Sequence, residues 1–245
     1  MTAGSAWAFS HTTAPLATAN AGEPSPITEP PPPTGCTRQG GTLRSHGHRD
    51  RKRIALTFDD GPGPLTARFV RVLDRMNASA TFFVVGEEVR GHSRVMRRLL
   101  AEGNELGNHT THHSFRGAAD LNRTQRLIEN ATGFRPCLFR PPGGHVSRHV
   151  VNTANDLEMT TVKWDVDPRD WSTPGADTIR ARVLGAARPG SIAVLHDGGG
   201  NRSGTLAALP GIIHRLRSRG YELVTATEIL GGEMVYPSAG EAAGL

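Results

Sequence analysis

Two periods govern where apolar side chains fall along this chain, and they take turns. Residues 54–58 form an apolar run in which Leu56 and Phe58 alternate with smaller or polar neighbours, the period of a strand. Leu65, Phe69, Val72, Leu73 and Met76 then recur at spacings of three and four, which predicts an amphipathic helix. A strand follows at 80–85, then a helix marked by Val95, Leu99 and Leu100, then a short strand at 105–108. Asp120 is placed to cap a helix running to Ala131, Ser147 one with Val150, Val151 and Ala154, and Asp177 one with Ile179, Val183 and Leu184. Strands fit 138–139, 159–164, 192–195 and 222–224, and Pro210 suits the first turn of a last helix carrying Ile212, Ile213 and Leu216. About seven such alternations predict an α/β fold, either a parallel sheet or a β/α barrel. In a barrel the strand C-terminal ends share one rim. Here polar residues follow strands directly: Asp59 and Asp60, His109, Arg140, the stretch 165–170, and His196.

Residues 1–49 lack either period. They are rich in Ala, Thr, Ser, Gly and Pro, with prolines at 30–33, which predicts a disordered linker ahead of a folded domain at 50–235 and a tail at 236–245. Ala19-Asn20-Ala21 resembles a signal-peptidase site, yet residues 1–21 hold no Lys or Arg and no apolar run longer than 6–9. The segment is not a competent signal peptide as written; a start codon further upstream would make it the back half of one.

Asp59 and Asp60 are adjacent at a strand end and run into Gly61-Pro62. Like charges side by side in a buried place are costly unless a cation lies between them or one is protonated. His109 and His113 are four residues apart, a spacing that one helical turn would bring to one face. Two histidines and one carboxylate make three ligands with a position left open for water, the pattern of a catalytic zinc-type site. The second carboxylate is then free to act as a base. Each element has a plainer reading as well. Asp-Asp-Gly-Pro is good turn chemistry, and a His pair at this spacing can be a surface accident. Arg140 can be a loop ion pair, Asp170-Trp171 a cap beside a core aromatic, and His196 a buried structural histidine. His112, His145 and His149 are assigned to surface or packing.

Composition narrows the class. The 245 residues suit one sizeable domain, 37% are apolar, and mean hydropathy is -0.36. Nothing approaches eighteen uninterrupted apolar residues, so no membrane-spanning helix is encoded. Lys and Arg outnumber Asp and Glu by 28 to 23, with Lys52 and Lys163 the only lysines. The net charge of +5 favours polyanionic surroundings without choosing among them. Arg44, Arg49, Arg51, Lys52 and Arg53 form the densest basic cluster; it reads as a solvated arm, with no interleaved aromatics for nucleic acid. Cys36 and Cys137 are compatible with one disulfide outside the cytosol or with two free thiols.

With these residues in view, the chain resembles the polysaccharide deacetylases, the NodB-homology or carbohydrate esterase family 4 group, over about residues 53–230. Five motifs occur in order: Thr57-Phe58-Asp59-Asp60-Gly61, His109-Thr110-Thr111-His112-His113, Arg140-Pro141-Pro142, Asp167-Pro168-Arg169-Asp170-Trp171, and Val194-Leu195-His196. The resemblance implies a distorted, incomplete (β/α) barrel of about seven parallel strands. It implies that Asp60, His109 and His113 hold one divalent metal, zinc first and cobalt, manganese or nickel in its place. It makes Asp59 the base, Arg140 its orienting partner, and His196 the acid supported by Asp170. Trp171 and Leu195 would line a slot for the acetyl methyl. The family usually carries Tyr after Arg-Pro-Pro, with its backbone N–H at the oxyanion. Gly143 stands here, keeping the N–H without the ring.

The implied activity is removal of N-acetyl groups from peptidoglycan or chitin-type polymers, releasing acetate, by a monomeric enzyme that is secreted or cell-wall associated. The partner is an acetylated glycan, not nucleic acid. The alternatives keep the chemistry and change the bond, to O-acetyl on xylan or to a small N-acetyl sugar, or keep the fold as a sugar-binding module without turnover. A non-haem iron oxygenase also uses two histidines and a carboxylate, but on a double-sheet jelly roll rather than alternating β and α.

Overall fold

The computed structural model describes Met1, residues 31–37 and residues 43–237. Strand β1 (Gly35–Cys36) and strand β2 (Leu43–Arg44) come first, inside the stretch expected to be linker. The fold therefore begins before residue 49, and strands of two residues are too short to show a period. Residues 2–30 and 238–245, which hold most of the expected linker, the signal-peptide-like segment and most of the tail, lie outside the described residues.

The core of the architecture is β3 (Arg53–Asp59). Alternation sends Ile54, Leu56 and Phe58 to one face, where they pack with Phe69, Ile212 and Leu216. Ala55 faces the other way, among Phe83, Val162 and Ile192. Helix α1 (Thr66–Arg75), β4 (Thr81–Val84), α2 (Ser93–Ala101), β5 (Glu105–Asn108), α3 (Ala118–Thr132), β6 (Leu138–Phe139), α4 (Arg148–Asp156), β7 (Thr160–Val162), α5 (Ala176–Ala186), β8 (Ser191–His196), α6 (Ser203–Ser218) and β9 (Glu222–Leu223) complete the alternation. The sheet runs β2-β7-β6-β5-β4-β3-β8, every pair parallel. One edge of β3 is shared: β9 pairs with Arg53 and Ile54, β4 with Thr57 to Asp59. Single bridges, His46 to Ser191 and Val166 to Ala193, span the gap between the β7 side and β8. This is the curled, incomplete β/α barrel that the resemblance implies.

The end away from the rim is plugged. Short α7 (Ala226–Ile229) is held by a capping box between Thr225 and Glu228 and packs inside the barrel with Ala55, Phe83 and Val224. Glu105, fully buried at the start of β5, accepts hydrogen bonds from Thr81 Oγ1 (2.8 Å), the Thr227 backbone N–H (3.1 Å) and Thr227 Oγ1 (2.5 Å). Burial pushes the Glu105 carboxyl up to about 7, against those donors. Beside it Cys36 and Cys137 form a disulfide with Cα atoms 5.8 Å apart. The bridge fastens β1, which pairs antiparallel with β10 (Met234–Val235), to the segment leading into β6.

Helix starts depart from the sequence reading in three places. Ser147 caps α4, accepting from the Val150 N–H at 3.2 Å, as expected. Asp120 and Asp177 instead lie in the first turns of α3 and α5, whose N-caps are Gly117 and Gly175. A carboxylate is favourable anywhere in a first turn, so its presence does not fix the cap. Pro210 lies inside α6, where the buried face of Leu206, Leu209, Ile212 and Ile213 carries the helix past the missing N–H.

Candidate active site

The rim is assembled from strand ends, and β3 delivers both acids. Asp59 continues the inward face of Thr57 and is 3% exposed. Asp60 would point outward by alternation, but its backbone turns to φ 72° and brings the side chain back. A close backbone approach holds that turn: a Cβ at Gly198 would sit 2.0 Å from the Asp60 carbonyl oxygen, and one at Gly199 2.5 Å from Asp60 Oδ2.

His109 and His113 do not share a helical turn. They lie on an irregular loop after β5, with φ 68° at Thr110 and 52° at His113. Side chains brace the loop: Asn108 Oδ1 accepts from Thr110 N–H (3.0 Å), and Asp120 Oδ1 from Thr111 N–H (3.1 Å). Asp60 Oδ1 lies 3.4 Å from His109 Nε2 and 3.0 Å from His113 Nε2. It is buried and has no hydrogen-bond partner. The carboxylate oxygen thus faces both ring nitrogens, and the three donor atoms all lie within 4.8 Å of one another, close enough to share one ion. His109 Nδ1 faces the Arg140 carbonyl at 2.7 Å, so it carries the proton and leaves Nε2 free to ligate. The donor set of Asp60, His109 and His113 thus fits a divalent metal. Burial works against the Asp60 charge, but the two facing imidazoles hold its carboxyl well below the usual range.

Arg140 reaches Asp59 from the end of β6. Its side chain is wholly buried and each of its three nitrogens donates. Nη1 bonds Asp59 Oδ1 and Thr57 Oγ1, each at 2.7 Å; Nε bonds the Val162 carbonyl at 3.2 Å and Nη2 the Lys163 carbonyl at 3.1 Å. The guanidinium also stacks 4.0 Å from the Phe83 ring centroid. Desolvation lowers its pKa, opposed by Asp59. Asp59 Oδ2 is left 4.0 Å from His109 Nε2, at the edge of the donor set.

Opposite stands His196, last residue of β8. Its Nδ1 lies 2.7 Å from Asp170 Oδ1, while Asp170 Oδ2 accepts from the His196 N–H (2.9 Å) and Thr205 Oγ1 (2.8 Å). Burial lowers the pKa of the imidazole, but the Asp170 hydrogen bond and the charges of Asp59, Asp170 and Asp60 outweigh it and raise the value. Sequence reasoning missed Thr205, and also Arg202, which bonds the Gly198 and Gly199 carbonyls at 2.7 and 2.9 Å. It missed Asp197 too. That acid is buried behind Asp60, accepts from the Thr66 hydroxyl, and is pushed up to about 7 by burial. Its place directly after His196 at a strand end was the available signal.

These groups open into a cavity of about 360 Å³, lined also by Gly143, Trp164, Asp167, Trp171 and Val194. Trp171 is 48% exposed at its mouth. Leu195 does not reach the cavity. β8 alternation turns it outward into the helix-facing core, and Val194, with the phase of His196, takes the inward place. Gly143 has φ 63°, and the His145 ring fills the space that a side chain there would need, Nε2 lying 3.0 Å from the Cβ position. His112 pairs with Glu87 at 2.8 Å and His149 packs edge-on against Phe115. The arrangement can hold a cation, take a proton at Asp59 and give one from His196.

Comparison with known proteins agrees with this geometry. The profile of the family described as polysaccharide deacetylase matches residues 46–162. A peptidoglycan-N-acetylglucosamine deacetylase of Bacillus cereus is 40% identical over 190 residues, covering 74% of this chain and 89% of the relative. A chitooligosaccharide deacetylase of Rhizobium leguminosarum bv. trifolii is 39% identical over 193 residues, covering 71% and 90%. Among solved structures, the Bc1960 peptidoglycan N-acetylglucosamine deacetylase superposes with a TM-score of 0.74 at 30% identity, over 79% of this chain and 95% of that one. A family 4 acetyl xylan esterase from Clostridium thermocellum, solved with a cobalt ion, superposes with a TM-score of 0.69 at 36% identity, over 74% and 91%. Fold, rim chemistry and these matches together place the chain in the polysaccharide deacetylase family, as a hydrolase acting on carbon–nitrogen bonds.

Proposed function

We propose that the enzyme is a metal-dependent N-deacetylase of N-acetylglucosamine-containing polymer, peptidoglycan or chitin-type, releasing acetate. The observation that carries this reading is the convergence of Asp60, His109 and His113 beside Asp59, with His196 across the cavity. Asp60, His109 and His113 would hold the ion, zinc being the first candidate. When bound, it supplies a Lewis acid that polarises the acetyl carbonyl and makes water more acidic.

The rest is the work of the chain. Asp59, its Oδ1 fixed by Arg140, takes a proton at Oδ2 as water adds to the carbonyl carbon. The developing negative oxygen is met by the N–H of Gly143 in the cavity wall. His196, charged and oriented by Asp170, gives the Nε2 proton to the sugar nitrogen as the C–N bond breaks, leaving amine and acetate. Trp164, Trp171 and Val194 supply the apolar wall for the methyl group.

The C. thermocellum relative supports a second reading, O-acetyl removal from xylan. The deciding experiment follows acetate release from chitooligosaccharide, peptidoglycan, acetylated xylan and N-acetylglucosamine, after chelation and after reloading with single metals. The proposed reading expects turnover on the first two, lost on chelation and restored by one divalent ion. Turnover on xylan alone, or indifference to chelation, would overturn it. The Cys36–Cys137 bridge supports a secreted or wall-associated enzyme. An unprocessed Met1 in the intact mass of the native protein counts against export.

A further inference from the structure

Outside the active site, one groove stands apart by its charge. It runs between α1 and α6, has a volume of about 370 Å³, and is lined by Arg68, Arg71, Arg75 and Ser203 over a floor that includes Val72 and Leu206. The arginines recur at steps of three and four along α1, so they lie on one face and span about 10 Å of helix. All three are exposed, and among the described residues none of their guanidinium groups has an ion-pair or hydrogen-bond partner. Asp74, the acid of that helix, turns away to Arg98 at 3.5 Å. Three unneutralised cations within 10 Å repel one another, a cost that an anion relieves.

A second observation points the same way. Ser203 is the first residue of the 16-residue α6, whose amino end carries the positive pole of the helix dipole. Helices α1 and α6 follow the adjacent parallel strands β3 and β8, so they run side by side in the same direction. At their far ends, Arg217 of α6 caps the Met76 and Asn77 carbonyls after α1. Arg68 and Ser203 therefore stand at the rim end. Ser203 is also two residues from Thr205, the partner of Asp170. The groove descends from the catalytic rim down the outer wall.

We propose that this groove binds a linear phosphodiester polymer of the polyol-phosphate kind, held by Arg68, Arg71, Arg75 and the start of α6. Guanidinium forks suit phosphate oxygens. A groove with recessed apolar floor suits a chain rather than a flat membrane, and it has no aromatic ring to stack a base. This assignment rests on the proposed function only in taking the bound polymer to lie beside the glycan substrate.

The test titrates the full chain with poly(glycerol phosphate) by calorimetry at two salt concentrations. Single-stranded DNA of matched charge and phosphatidylglycerol vesicles are the competing probes, and the triple variant Arg68→Gln, Arg71→Gln, Arg75→Gln is run in parallel. Tightest binding to the polyol phosphate, weakened roughly ten-fold or more in the variant and with a shallower salt dependence, is the expected result. Arg71→Gln alone should give a smaller loss in the same direction, which keeps the test open if the triple variant folds poorly. An unchanged affinity in the variants, tighter binding of DNA or vesicles, or no binding at low salt overturns the proposal. Acetate release from neutral chitotetraose, read on the same samples, reports the catalytic reading separately and should be the same in variant and wild type.

Discussion

Arg140 Nη1 and Asp59 Oδ1 lie 2.7 Å apart, with both side chains buried. The pair fixes which carboxylate oxygen faces the reaction, and each partner neutralises a charge that could not be buried alone. Asp59→Asn is expected to cut deacetylation about 100-fold or more while leaving bound metal unchanged, measured by acetate release and elemental analysis of the same sample. Arg140→Met strands the Asp59 charge and should cost about 3–5 kcal/mol of stability in denaturant titration. Full activity in Asp59→Asn removes it as the base.

Asp170 is expected to set the alkaline limit of activity. Its carboxylate raises the His196 pKa above the ordinary imidazole value, so the acid form persists as pH rises. In Asp170→Asn that support is lost, the proton leaves earlier than in wild type, and the alkaline limb of kcat/KM should move to lower pH. An unmoved limb would show that another group delivers the proton.

Glu105 gives the plug of the barrel a pH dependence of its own. Its folded value of about 7 lies above the ordinary carboxyl value, so the folded state holds a proton that the unfolded chain releases. The sign follows: stability falls as pH rises from about 4.5 to 7 and stays lower above that range. Glu105→Gln keeps an acceptor for Thr81 and Thr227 N–H and a donor for Thr227 Oγ1. The variant should melt on the order of 10 °C higher than wild type near pH 8, with the difference closing near pH 4.5.

The bridge from Cys36 to Cys137 closes a loop of 101 residues. Reducing it, or replacing both cysteines by Ser, should lower stability by about 2–4 kcal/mol, seen as an earlier thermal transition. Cys137 precedes β6 and Arg140 follows it, so the bridge sits at the end opposite the rim. Deacetylation at low temperature should therefore survive, and a parallel loss of metal and activity on reduction would contradict that separation.

The rim was legible in the sequence because strand ends announce themselves, an apolar run breaking into Asp59-Asp60, His109, Arg140 or His196. What escaped were partners brought together by the fold. Thr205 meets Asp170 from 35 residues away, and Glu105 looked like any strand-opening acid until Thr81 and Thr227 closed on it. The face of Leu195 was misjudged because alternation fixes a phase only relative to a residue whose direction is known, and His196 supplies that reference. The histidine loop was misjudged because a spacing of four suits a helix but does not require one; left-handed backbone at Thr110 and His113 reaches the same convergence. Strands β1 and β2 were invisible because two residues carry no period.

The contact of Gly198 and Gly199 with Asp60 has an architectural consequence. With no space for even a methyl group between them, the segments leaving β3 and β8 are keyed together and can be rebuilt only as a unit. The facing wall, around 142–145 and 163–171, carries no such interlock with Asp60, so that half the mouth is a fixed jaw and half an adjustable one.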